Sequence, residues 1–142
     1  MQPARSSTRP AGTVAVAIVA LTLATAYIHL TLGGLLFTLN AAGYAALALA
    51  VVVIAAVSHP LVRRFDWVPR VGLAGYTAVT IAGYLVIGPY FSLGWMAKAI
   101  EVAILMLLAT DIVRAYGAPA GLVRAAFASV GLDWEPRSSQ TA

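Results

Sequence analysis

The sequence predicts an all-α membrane protein: a polytopic four-helix bundle with both termini in the cytoplasm. Three observations carry this reading. Hydrophobic residues make up 61% of the 142 and charged residues 10%, against about 45–50% and about 25% in a soluble domain. Mean hydropathy is +0.90, so the chain has too little polar surface to coat a water-soluble globule. No Asp, Glu, Lys or Arg occurs between Arg9 and Arg63, and a bilayer core is crossed by about 20 helical residues. That interval holds two spans. The apolar runs also lack the alternation of apolar and polar residues that a barrel strand requires.

The first span covers residues 12–31, "GTVAVAIVALTLATAYIHLT", and Gly33-Gly34 breaks the chain before the second. The second covers 35–58, "LLFTLNAAGYAALALAVVVIAAVS", and His59-Pro60 ends it. A basic loop, "HPLVRRFDWVPR", leads to a third span at 71–87, which Gly88-Pro89 closes. The fourth covers 95–116, from Trp95 to Tyr116. The expected organisation is a cytoplasmic tail at 1–11, a transmembrane domain at 12–117 and a cytoplasmic tail at 118–142. Within that last tail, Val123, Phe127 and Val130 recur at i, i+4 and i+7. This spacing fits a short interfacial helix over 119–132; a frayed tail is the other reading. The final "EPRSSQTA" is expected to be disordered.

Orientation follows the basic residues. Arg5 and Arg9 precede the first span, Arg63, Arg64 and Arg70 lie around the middle loop, and Arg114, Arg124 and Arg137 follow the fourth. The other two loops carry none. The positive-inside rule puts both termini and the middle loop on the cytoplasmic side of the cell membrane. Trp67 and Tyr116 then mark the inner interface, and Tyr90, Phe91 and Trp95 the outer. One competing reading concerns the first span: a basic start, an apolar run and Ala24-Thr25-Ala26 resemble a signal peptide cleaved after Ala26. The apolar run continues to Leu30 and beyond, which favours a span.

Composition removes several function classes. Net charge is +4, but the basic residues flank apolar runs rather than forming a nucleic-acid patch. With no cysteine, disulfides, thiolate metal sites and dithiol redox chemistry are excluded. His29 and His59 fall near opposite faces, so one chain cannot clamp haem between them. His29 and Glu101 are the only strong metal ligands within reach of each other, below the usual three or four. No nucleotide-binding glycine pattern or nucleophile motif occurs in its required context. No metal, no cofactor and no catalytic residue is assigned, and the balance leans away from an enzyme.

Ionisable groups inside a span each cost a few kcal/mol or more and mark candidate sites. The fourth span, "WMAKAIEVAILMLLATDIVRAY", carries four. Asp111 and Arg114, three apart, read as a helix-end anchor at the inner surface. Lys98 and Glu101 are also three apart, and Glu101 lies about 9 Å of helix below Trp95. At similar depth lie His29, four residues before Gly33, Asn40, six after Gly34, and Tyr84, four before Gly88. Thr22, Thr25 and His29 share a face, as do Asn40, Gly43 and Tyr44, and Thr77, Thr80 and Tyr84. Small and hydroxylated residues are what packed membrane helices turn toward one another. The expected cluster is therefore His29, Asn40, Tyr84, Lys98 and Glu101. Two readings stand: a hydrogen-bonded knot that pins the bundle, or a site for a proton, ion, headgroup or small ligand.

The stretches "YIHLTLGGLLFTLNAAGYAAL", "GYTAVTIAGYLVIG" and "SLGWMAKAIEVAILMLL" together resemble a family of small prokaryotic membrane proteins with four helices and no assigned activity. The resemblance covers about Tyr27 to Leu108. It implies a compact bundle and brings no activity. The chain is also similar in size and helix number to small multidrug-resistance transporters. Their essential carboxylate lies in the first helix, whereas here the membrane glutamate is in the fourth, which argues against the same mechanism.

The leading expectation is an integral membrane protein without catalysis of its own. It would be a structural or accessory subunit, or a bundle binding lipid or a small ligand. The alternative is a proton- or cation-coupled transporter using Glu101. A membrane enzyme with His29 as base is the least favoured. The expected partners are the lipid bilayer and either a second copy of the chain or a larger membrane complex, with no nucleic acid.

Overall fold

In the computed structural model, residues 10–132 are described. Arg5, Arg9, Trp134, Arg137 and the "EPRSSQTA" tail, on which parts of the sequence reading rest, lie outside them. Among the described residues there are six helices and no strand: α1 (Pro10–Leu32), α2 (Leu35–Ala56), α3 (Pro60–Arg64), α4 (Trp67–Ile87), α5 (Ser92–Tyr116) and α6 (Pro119–Ser129).

Three of these, over Gly12–Leu32, Leu35–Ala56 and Trp67–Ile87, are long and apolar enough to cross a membrane. At 25 residues α5 is the longest helix, about 37 Å at the usual rise, and it carries the four ionisable residues. Much of the outer surface is apolar: Leu35, Leu36, Val79, Val86 and Ile87 are each at least 70% exposed. So large an exposed apolar surface is compatible with a lipid surround, and marks faces that meet lipid or other protein.

The helix boundaries have local causes. Gly33 and Gly34 adopt φ of 70° and 84°, the left-handed region that glycine enters without a Cβ penalty. They turn the chain so that α2 runs back along α1. Ahead of Pro60, Val57 and His59 are extended, as the residue before a proline prefers, and α2 ends at Ala56 rather than Ser58. Pro60 also starts a helix. It occupies the first turn of α3, where its missing N–H costs nothing, and the His59 ring accepts a hydrogen bond from Leu61 N at 3.3 Å. The loop expected there thus contains a short helix. For the same reason Pro69 does not delay α4, which starts at Trp67, four residues before the expected Val71. Gly117, at φ 78°, ends α5 with its N–H on the Val113 carbonyl.

Packing gathers the four long helices around one core. α1 lies against α2 and α5, and α4 against α5 and α2. Ile18, Tyr44, Val51, Leu73, Ile104 and Leu108 form its apolar centre. The stretch Ala24-Thr25-Ala26 lies in mid-helix, and both Thr25 and Ala26 are buried. α6 folds back beneath α4 and α5, where Ser129 accepts from Arg64 Nε at its carbonyl (2.6 Å) and from Trp67 Nε1 at its hydroxyl (3.1 Å). Val123 and Phe127 of α6, and Val130 just after it, remain partly or largely exposed.

Candidate functional site

Glu101 is 0% exposed, and a carboxylate so placed requires donors from several directions. α5 supplies one itself: Lys98, one turn away, places Nζ 2.5 Å from Oε2. From α1, Thr25 Oγ1 donates to Oε1 at 3.3 Å. From α4, Thr80 Oγ1 lies 3.2 Å from Oε2. Thr80 has a single hydroxyl proton and is also 2.9 Å from the Thr77 carbonyl, so it serves one acceptor at a time. Tyr44 of α2 stands 2.7 Å from Thr80 Oγ1 and donates to it whenever that proton is in use. Four helices thus converge on one carboxylate.

Lys98, 6% exposed, spends a second N–H on the Thr80 carbonyl at 3.3 Å and lies 5.5 Å from the Tyr84 ring centroid. That cation–π contact is stronger for being shielded from water. His29 approaches from α1, with Nδ1 2.7 Å from the Thr25 carbonyl. A carbonyl can only accept, so Nδ1 carries a proton. Nε2 stands 3.7 Å from Glu101 Oε1, beyond hydrogen-bond reach. The imidazole also lies 5.7 Å from the Tyr44 ring and 6.2 Å from the Phe37 ring.

Four of the five expected cluster residues meet in this way: His29, Lys98 and Glu101 directly, and Tyr84 through its ring. Asn40 is displaced from the centre. Its backbone carbonyl accepts from Tyr76 OH at 3.2 Å, and the residue lines a neighbouring cavity. Sequence reasoning put Thr25, Tyr44 and Thr80 on inward faces without making them partners of Glu101. The available signal was their one-turn spacing from His29, Asn40 and Tyr84.

The cavity has a volume of about 430 Å³ and is lined by residues of α1, α2, α4 and α5. Its polar lining includes His29 and Lys98, both buried, and Thr80, and its aromatic lining Phe37, Tyr76, Tyr84 and Phe91. Leu36 of α2 and Val79 and Ile87 of α4 also line it and are 72%, 70% and 81% exposed, so its open side lies between these two helices. The opening therefore gives sideways onto the apolar surface of the protein. A concave apolar space with a few polar groups at one end is the usual form of a small-molecule site.

A second polar group lies at the other end of the helices. Asp111 pairs with Arg70 of α4, Nε to Oδ2 at 2.7 Å, and not with Arg114, which is exposed. Arg70 also contacts Asp66 at its carboxylate (3.3 Å) and carbonyl (2.8 Å). Tyr116 OH donates to Asp66 Oδ1 at 2.6 Å. The anchor expected within one helix is a tie between α4 and α5. No group of three or more His, Asp or Glu that could hold a metal occurs among the described residues. Comparison with protein-family models, curated proteins and solved structures finds no match.

Proposed function

We propose that the chain is a four-span membrane bundle, N-in and C-in, that binds an amphiphilic lipid or small ligand in the cavity between α2 and α4. It acts as a binding or accessory protein and not as an enzyme. In this reading α5 is the fourth span, α6 lies at the cytoplasmic interface, and the Lys98–Glu101 cluster sits beneath the outer surface. The resemblance to small prokaryotic four-helix membrane proteins belongs to the same proposal.

One observation carries it: the cavity joins buried polar side chains, His29 and Lys98, to a mouth of exposed apolar residues. A ligand with an apolar body can enter sideways from lipid and present its polar end to the cluster. A carrier in which Glu101 titrates has less support. Towards the α3–α6 end, one turn beyond Thr22 and Thr77, the interior is filled by Ile18, Leu73, Ile104 and Leu108, each at most 1% exposed. Such a layer offers no hydrogen-bonded route for a proton or ion from Glu101 to that side.

Native mass spectrometry of the protein in lipid nanodiscs tests binding. The wild type should retain an amphiphile, and Gly83→Leu should lose it. Gly83 lines the cavity, and a Cβ there meets no atom within 4 Å. A wild type that retains nothing, or retention unaffected by Gly83→Leu, overturns the reading. Because the chain has no cysteine, single substitutions report topology. Tyr90→Cys should react with an impermeant maleimide on intact cells, and Ser58→Cys only after permeabilisation.

A further inference from the structure

The head group of the ligand follows from the hydrogen-bond accounting in the polar lining of the cavity, and the argument rests on the binding role proposed above. Lys98 has three N–H groups. One goes to Glu101 and one to the Thr80 carbonyl, which leaves one donor. His29 has its Nδ1 proton committed to the Thr25 carbonyl, so in the neutral imidazole Nε2 is an acceptor. Nε2 makes no hydrogen bond, and yet the one fully sealed side-chain polar atom without a partner, among the described residues, is Thr77 Oγ1. Nε2 therefore reaches open space, and the open space that His29 lines is the cavity. The cavity is thus lined by one residue with a donor to spare and one with an acceptor, and both approach the same carboxylate, Lys98 Nζ at 2.5 Å from Oε2 and His29 Nε2 at 3.7 Å from Oε1.

Charge narrows the choice further. The Lys98 ammonium is already matched by Glu101 at 2.5 Å, so with neutral His29 the cluster has no net charge to spare. A carboxylate or an ammonium brought into this apolar space would be a buried charge without a counter-ion, which is costly. An uncharged group is not penalised in this way. We propose that the cavity selects an amphiphile whose head is an uncharged hydroxyl. Its O–H donates to His29 Nε2 and its oxygen accepts from Lys98 Nζ, and its apolar body lies towards the mouth between α2 and α4. A phenolic or quinol ring and an aliphatic alcohol both supply this chemistry; the aromatic walls at Phe37, Tyr76, Tyr84 and Phe91 suit a flat ring.

The test uses the full chain in nanodiscs and five probes: 4-nonylphenol, dodecanol, the methyl ether of each, and laurate. The ethers keep the acceptor oxygen and lose the donor. Retention of a hydroxyl probe on the order of ten-fold above its ether is expected, since an unpaired buried polar group is what discriminates such analogues. Comparing the phenol with the alcohol identifies the source. His29→Phe keeps a ring of similar size and should abolish that preference while leaving the ethers bound. Should His29→Phe fail to assemble, the hydroxyl-to-ether ratio of the unaltered protein decides alone. Equal retention of hydroxyl and ether by the unaltered protein overturns the head-group assignment and leaves the cavity as an amphiphile site. Preferential binding of laurate also overturns it, because the cluster would then be cationic with His29 protonated. Retention of none of the five, in a protein that also carries no lipid, removes the binding role itself.

Discussion

Arg70, in the first turn of α4, holds Asp111, near the end of α5, through an Nε–Oδ2 hydrogen bond of 2.7 Å across 41 residues of chain. Both side chains are only 16% exposed. The same guanidinium reaches Asp66 and stands 5.6 Å from the Tyr116 ring centroid. One cation thus joins the start of α4 to the last turns of α5, at the end of the protein where α6 also docks.

Removing that cation should cost more than removing an exposed one. Arg70→Ala leaves Asp111 without its partner, and a hydrogen bond to a charged group contributes about 1.5–3 kcal/mol. Asp111→Ala should cost a similar amount, and the double variant less than the sum of the two. Arg114→Ala, at an exposed position, should stay within about 0.5 kcal/mol of wild type. Reversible unfolding in mixed micelles measures all four. If Arg114→Ala proves as damaging as Arg70→Ala, the tie between α4 and α5 does not carry the stability assigned to it.

This tie also shows what the sequence could and could not disclose. The helices are legible because each apolar run is long and is punctuated by Gly33-Gly34, His59-Pro60 or Gly88-Pro89. The local spacing of Lys98 and Glu101 is legible too, since i,i+3 neighbours meet on any helix. The same rule points Asp111 to Arg114, and there it fails. Arg70 competes from another helix, and whether it wins depends on how α4 and α5 are rotated against each other. Thr25 and Thr80 were hidden for a related reason. Threonine on an inward face usually bonds its own helix, as Thr22 does with the Ile18 carbonyl. Only the depth and rotation of Glu101 recruit the other two. α3 is not legible from Pro60 taken as a stop alone, because a proline that ends one helix can also open the next.

At Glu101 the expected result is a rescue. Glu101→Leu leaves the Lys98 ammonium buried with no counter-charge, and breaking such a pair from one side costs about 3–5 kcal/mol. Lys98→Met combined with Glu101→Leu removes both charges and should recover most of that loss, because an apolar pair of similar volume is often tolerated. Unfolding of the two single variants and the double variant in the same micelles decides it. A double variant no more stable than Glu101→Leu would mean that Glu101 is held mainly by Thr25 and Thr80, and not by the lysine.

The glycines of α2, α4 and α5 supply a graded test of how closely the helices approach. A Cβ on Gly94 would lie 2.6 Å from Tyr84 OH and 2.8 Å from its Cε2, so the whole ring would have to move. The ring is not free to do so, since Tyr90 and Trp95 stand edge-on to it at 5.7 and 5.4 Å. A Cβ on Gly43 would collide with the hydroxyl end of Tyr76, whose ring stands edge-on to Tyr44 at 5.0 Å and whose hydroxyl donates to the Asn40 carbonyl. Gly94→Ala and Gly43→Ala should each therefore destabilise by about 1–3 kcal/mol, the usual cost of overpacking. Gly75 is the control, because its Cβ would meet nothing within 4 Å. There the helical preference for alanine acts alone, and Gly75→Ala should gain about 0.5–1 kcal/mol. Thermal unfolding of the three variants in one detergent should rank Gly75→Ala above wild type and the other two below it. Gly94→Ala should also weaken ligand retention, since Gly94 and Tyr84 both line the cavity. A Gly94→Ala protein as stable as wild type would mean that Tyr84 is looser than its aromatic neighbours imply, and that the wall it forms can yield.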